Sequence, residues 1–285
     1  MLPVPMSDEP IEVKLTKWLE TQGYPLEMQV ASALQVAGFR ISQSDYYRDP
    51  ETRASREIDL VAVQQRVFDD LLFRVTFTVE CKTSRDKPWI LFTSSRAGLA
   101  EPALVVQRAA SPLGSTYLAQ LVNDHDIAIL PSFQIGDRPG YGLTQAFTSG
   151  QDVAYAAIST AAKAAFARTR RPPSRRPPSF GICEIAFPTI VIDGRLFEYY
   201  LTTEGQRIIA EIPQGTLLWR NPLVGMPHTI IHICTLGGLS SFVDGAKHTA
   251  GALLNAADRK GKRVFETWHK EKRLTAFSLP RRRRS

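Results

Sequence analysis

The sequence predicts an α/β fold: a mixed central sheet flanked by helices, with an additional α+β region toward the C-terminal end. Three observations predict it. Residues 56–66 and 71–83 alternate apolar and polar side chains with the period of two expected of strands. Leu26, Val30, Ala33, Leu34 and Ala37 recur at helical spacing just ahead of them. An alanine-rich stretch over 152–168 reads as a second well-formed helix.

Taken in chain order, a helix is expected over 11–22 and another over 26–37, the latter stopped by Gly38. Strands follow over 39–47, 56–66 and 71–83, punctuated by Asp49-Pro50-Glu51-Thr52 and by Phe68-Asp69-Asp70. A helix over 113–123 leads into Ile127-Ala128-Ile129-Leu130, which reads as a strand. The helix over 152–168 has Asp152 as its cap and arginines at its C-terminal end, where they suit the dipole. Then Arg170-Arg171-Pro172-Pro173-Ser174 is repeated at once as Arg175-Arg176-Pro177-Pro178-Ser179, and the prolines exclude helix and central strand. Beyond this connector Ile190-Val191-Ile192 and Leu196-Phe197-Glu198-Tyr199-Tyr200 flank Asp193-Gly194, a hairpin signal. Strand-like runs lie over 207–219 and 228–235, and Phe242, Val243, Ala246, Ala250, Leu253, Leu254 and Ala257 return to helical spacing. The expected organisation is a core over 1–168, a connector over 169–179, an α+β region over 180–279 that covers or extends the core, and a basic tail over 280–285.

With 44% apolar and 22% charged residues in a chain of 285, a disordered or fibrous protein is excluded. No stretch approaches the roughly 18 uncharged apolar residues that span a bilayer, and no basic segment followed by an apolar core opens the chain, so a cytoplasmic protein without a membrane partner is expected. Cys81, Cys183 and Cys234 are too few and too scattered for a disulfide framework, which fits a reducing compartment. The net charge of +7 comes entirely from the arginines at and just before the connector (Arg168, Arg170, Arg171, Arg175, Arg176) and those of the tail (Arg281, Arg282, Arg283, Arg284). Without them the body carries about −2. Such appendages attract nucleic acid through counterion release, without sequence preference, and otherwise serve as solvated tails.

Chemistry enters at Glu80-Cys81-Lys82. An acid and a lysine two apart share one face of a strand and can serve one site. The same spacing in Glu12-Val13-Lys14 and Asp258-Arg259-Lys260 falls on helical segments, where residues two apart do not face each other. Along 73–82, Phe73, Val75, Phe77, Val79 and Cys81 form a core face; Arg74, Thr76, Thr78, Glu80 and Lys82 form a polar one. Asp59 stands among apolar neighbours in Glu57-Ile58-Asp59-Leu60-Val61, where an unpartnered carboxylate is costly and calls for a cation. If 56–66 and 71–83 pair as a hairpin, Asp59 and Glu80 converge on a hard divalent ion, with Glu27 from the preceding helix as a further member.

This constellation resembles the PD-(D/E)XK nuclease superfamily, in its restriction-endonuclease-like and Holliday-junction-resolvase-like branch. The resemblance covers roughly 24–84 and rests on Leu26-Glu27-Met28-Gln29-Val30, Gly38-Phe39-Arg40-Ile41, Arg56-Glu57-Ile58-Asp59-Leu60-Val61 and Val79-Glu80-Cys81-Lys82, with Ile58 where the family name has proline. It implies a restriction-endonuclease-like fold and an Mg²⁺-dependent endonuclease acting on DNA, in restriction or defence against foreign DNA, with Mn²⁺ able to substitute. By the same resemblance Asp59, Glu80 and the main-chain carbonyl of Cys81 bind the metal, Lys82 orients or activates the attacking water, and Glu27 is a further metal-site or water-positioning carboxylate. Arg85, Lys87 and Arg96, just past the site strand, are placed to grip phosphates. Enzymes of this fold often work as dimers or beside a partner subunit. A catalytically inert nucleic-acid-binding module of the same fold and an RNA nuclease are the alternatives.

Other residues carry less. His228, His232 and Cys234 share one strand face and are zinc-ligand types, without a fourth ligand nearby. Asp124-His125-Asp126 suits capping and turn chemistry, and Gly237-Gly238 precedes a helix whose N-terminus can receive an anion. Gln145 and Tyr155 lie on elements able to flank the site.

Overall fold

The structure, a computed structural model, describes residues 9–20, 22–68, 71–95, 108–148, 153–170, 181–219 and 229–278. Arg96, Asp152, His228, most of the Arg/Pro connector and the basic tail, Arg281 to Arg284, lie outside the described residues.

Two helices, α1 (Ile11–Glu20) and α2 (Tyr24–Val36), open the chain. Leu26, Val30 and Leu34 turn α2 onto the core, and Gly38 at φ 90° reverses the chain into the first strand. β1 (Arg40–Arg48), β2 (Ser55–Phe68) and β3 (Leu71–Thr93) form an antiparallel meander. After the short β4 (Ala109–Ala110) come α3 (Pro112–Leu121), the single turn α4 (His125–Ala128), β5 (Gly140–Gln145) and α5 (Val153–Thr169). β6 (Gly181–Leu201), β7 (Arg207–Glu211), β8 (Gln214–Trp219), β9 (Thr229–Thr235) and α6 (Leu239–Ser278) complete it. All strands belong to one mixed sheet. Among the described residues, no helix is long and apolar enough to cross a membrane.

β6 decides the architecture. It lies parallel to β3 from Leu71↔Gly181 to Phe92↔Tyr199. The region after the connector therefore extends the sheet, and the core expected over 1–168 is completed only by residues beyond 180. The far half of β3 also pairs with β5, β5 touches β8, β8 pairs with β9 and β9 returns to β6, so these strands close into a ring.

Both faces of β3 are covered. On one, α2, α3 and α6 pack over Phe73, Phe77 and Val79, with Phe77 fully buried among Phe39, Phe187 and Phe242 at ring separations of 5.6, 5.0 and 5.9 Å. Each such side chain contributes roughly 1.5–3 kcal/mol by leaving water. The other face, polar in sequence, is buried too, because the alanines of α5 let that helix lie against it. Thr78 Oγ1 donates to Ala161 O at 3.1 Å, and Glu184, buried beside Thr76, accepts from Arg74 and Arg168.

Two local readings change. Ile127 to Leu130 is not a strand; its first half belongs to α4, since a short apolar run fits a buried helical turn as well as a strand. Asp193-Gly194 makes no hairpin, because β6 runs straight through it. A type I′ turn needs positive φ at both central residues, and Gly194 is not in that region. Its role is close approach: a Cβ there would sit 2.3 Å from the Ser84 carbonyl oxygen. Just beyond, Arg85 to Pro88 of β3 stand opposite Arg195 alone, a bulge that throws those residues out of the ladder. Gly194→Ala is expected to destabilise the protein by about 1–3 kcal/mol, since the obstacle is backbone and cannot swing away. A lowered urea midpoint checks this.

Candidate metal-hydrolase site at the fork between two strands

The ladder between β2 and β3 ends at Leu60↔Val79, and the next residues are Asp59 and Glu80. Here a side chain takes over from the ladder: Asp59 Oδ2 accepts the Cys81 N–H at 2.7 Å. The β1–β2 pairing steps over the same place, where Ser44 opposite Asp59 holds φ 48°. Backbone held in that sparsely populated region is a recurring mark of functional sites. The sequence produces this geometry because Asp59 interrupts an apolar strand and, once β2 leaves β3, its carboxylate satisfies the exposed donor.

Glu80 follows on β3 and is 6% exposed. Its Oε1 accepts from Lys82 Nζ at 2.6 Å. Its Oε2 is buried and has no hydrogen-bond partner among the described residues. Burial, and after it Asp59 and Glu27, push the Glu80 carboxyl up to about 7 against the pull of Lys82. Asp59 is also raised, by burial first, despite the Cys81 N–H and Lys82. Glu27, in the first turn of α2, is raised by burial and by the charges of Asp59 and Glu57, with Lys82 pulling the other way. Burial works against the Lys82 ammonium, but the Glu80 charge, the hydrogen bond Lys82 donates to Glu80 and the Asp59 charge more than offset it and hold its pKa above the usual lysine value. The four expected residues thus share one electrostatic neighbourhood, three carboxylates around one cation.

Cys81 turns its side chain into the core, and burial raises its thiol well above the usual value, so its thiol is not a ligand at neutral pH. Among the described residues, no three His, Cys, Asp or Glu side chains are gathered closely enough to cage a metal ion. Magnesium does not require such a cage; it is held by one or two carboxylates while keeping waters and taking substrate phosphate oxygens. The partnerless Oε2 of Glu80 and the remaining oxygen of Asp59 are hard donors of the kind it uses.

The neighbourhood adds residues that sequence reasoning left unplaced. Gln145 Nε2 donates to Ser84 Oγ at 2.5 Å, and Ser84 is two positions from Lys82 on the same side of β3. Tyr47, buried beside Glu80, is raised to about 12, chiefly by burial. Neither showed a local signal, because only the pairing of β5 with β3 and of β1 with β2 brings them near. Tyr155 is exposed on α5. Arg85 and Lys87 stand in the bulge next to the site, Arg85 paired with Asp193 at 2.8 Å.

His232 and Cys234 are buried in β9, and no metal-binding set includes them among the described residues. The Gly238 N–H is taken by Thr235 Oγ1 at 3.2 Å, so that helix start is capped by its own chain. Asp124 precedes α4 without a side-chain cap bond and instead accepts from Lys260 at 3.1 Å.

No protein-family model, no curated protein and no solved structure matches this chain.

Proposed function

We propose that the protein is a metal-dependent deoxyribonuclease, an endonuclease of PD-(D/E)XK type with a restriction-endonuclease-like core, acting at Asp59, Glu80 and Lys82 with Glu27 beside them. The observation that carries this reading is the Glu80 carboxylate, buried with one oxygen partnerless, next to Asp59 and Lys82 where β2 leaves β3. A buried acceptor without a partner costs about 1–3 kcal/mol or more, and a cation relieves that cost.

Asp59 and Glu80, with the Cys81 carbonyl, would hold Mg²⁺. The ion supplies charge neutralisation at a phosphoryl oxygen and a lowered pKa for bound water. Lys82 remains an ammonium at neutral pH, so it donates hydrogen bonds to the attacking oxygen and stabilises its negative charge; it does not remove the proton. Glu27, at the edge of the cluster, positions that water. The water oxygen forms the new bond to phosphorus as its proton passes to solvent water, while the bond from phosphorus to the sugar oxygen breaks and that oxygen leaves with the electron pair and takes a proton from solvent. Arg85 and Lys87 bind flanking phosphates.

One observation favours a second reading, an inert binding module: Asp59 and Glu80 already make intrachain bonds through Oδ2 and Oε1. Supercoiled plasmid incubated with protein and Mg²⁺ separates the two, with EDTA and an RNA substrate in parallel. Asp59→Asn keeps an acceptor for the Cys81 N–H while removing the charge, and is expected to cut cleavage at least ~100-fold. Cleavage that persists in this variant overturns the site; no cleavage by the parent favours the inert module.

A further inference from the structure

On another part of the sheet, between the 131–138 loop, β8, β9 and α6, lie two adjoining cavities of about 390 and 480 Å³. They share Pro131, Gln214, His232 and Phe242 as lining. Both fall in the size range of small-molecule sites.

His232 is 7% exposed, and its ring lies against Phe187 and Phe242, at centroid distances of 6.2 and 6.4 Å. One ring nitrogen is engaged with the Ser132 backbone, and the interaction favours the protonated nitrogen, so that nitrogen is the donor. The other, Nε2, is buried and has no partner among the described residues. Burial, and then the nearby Arg108 guanidinium, hold the imidazole pKa down to about 3, so Nε2 presents a bare lone pair at neutral pH. Gln214 spends its amide N–H on the Gly238 carbonyl at 2.9 Å, and its amide oxygen is a second acceptor on the same lining.

Charge narrows the occupant. Asp137 and Glu198 line one cavity and Asp244 the other, while the cation among them, Arg138, is held by both oxygens of Glu198 at 2.8 and 3.3 Å. The buried Arg108 guanidinium beside His232 offsets part of this acidic excess, but the carboxylates on the lining itself still disfavour phosphate and favour a neutral ligand that brings N–H donors. Leu91, Ile135 and Ile233 supply apolar wall.

We infer that these cavities form a binding site for an amino-bearing nucleobase, whose N–H groups meet His232 Nε2 and Gln214 while its phosphate stays outside. Two sources share this chemistry: a free nucleoside, and a base swung out of a nucleic-acid strand. The inference needs neither a metal ion nor cleavage, so it stands or falls separately from the hydrolase reading.

Calorimetric titration of the full-length protein with adenosine, guanosine, cytidine and uridine, without divalent ions, tests the first source. At least one amino-bearing nucleoside is expected to bind, about tenfold more tightly than uridine and more tightly than its own 5′-monophosphate. His232→Phe keeps the aromatic packing and removes the acceptor, and Gln214→Ala removes the second acceptor from the neighbouring strand β8; each is expected to weaken binding about tenfold. For the second source, a duplex carrying 2-aminopurine is expected to brighten with the parent and not with His232→Phe. Brightening without nucleoside binding assigns the site to a strand, and nucleoside binding without brightening assigns it to a free metabolite. Absence of both, equal affinity for uridine, or unchanged binding in both variants overturns the inference.

Discussion

Lys82→Ala protein is expected to leave plasmid DNA intact while still binding Mn²⁺ like the parent. The ammonium lies 2.6 Å from Glu80 Oε1 and is kept protonated by the carboxylates around it. On the proposed reading it acts on the negative charge that develops in the transition state, and loss of one such preorganised donor costs roughly 10²–10³ in rate. Metal affinity should survive, because the alanine also removes a competing cation from Glu80. Asp59→Asn gives the complementary pattern, weak binding of Mn²⁺ together with lost cleavage. Calorimetry paired with the plasmid assay distinguishes the two, and a Lys82→Ala protein that cleaves at the parental rate removes Lys82 from the chemistry.

The second large effect is on stability. The Glu80 carboxyl moves from its ordinary value of 4.5 to about 7 in the folded protein, because burial disfavours its charge. The native state therefore holds this proton more tightly than the unfolded chain does. Below pH 4.5 both states are protonated and the group contributes nothing; as pH rises toward 7, ionisation progressively destabilises the fold, by about 3 kcal/mol when complete. Glu80→Gln is neutral throughout and should unfold at higher urea than the parent at pH 8, yet match it near pH 4. Saturating Mg²⁺ should restore the parent at pH 8 and leave the variant unmoved, since the ion relieves a charge the variant lacks. Parallel pH profiles for parent and variant would show that Glu80 is not strained.

Local signals made part of this legible. Alternation along 73–82 placed Glu80 and Lys82 on one side of a strand, and the apolar neighbours of Asp59 marked its carboxylate as one in need of a partner. What escaped depended on residues far away in the chain. The threonines beside Glu80 marked a polar face without showing that it is covered, since alanines of α5 carry no pattern that reveals how closely they will lie. Gly194 read as a turn because its need for space is set by Ser84, more than a hundred positions earlier. The strand expected over 71–83 does not stop there: it bulges at Arg85 to Pro88 and continues to Thr93. Nothing local announces that β6 lies beside β3, since pairing between parallel strands leaves no signature in either one. The mixed sheet with flanking helices was readable; its closure into a ring was not.

That parallel pairing also constrains how the chain reaches its native state. Leu71 meets Gly181, about 110 residues downstream, so on the ribosome β3 waits with one edge bare until the second half has been synthesised. At roughly 5–20 residues per second this delay lasts several seconds or longer. A long apolar edge left open for that time invites pairing with other nascent chains. Truncations that end before β6 should therefore accumulate as insoluble material, and chaperones that shield strand edges become natural companions of this protein's biogenesis.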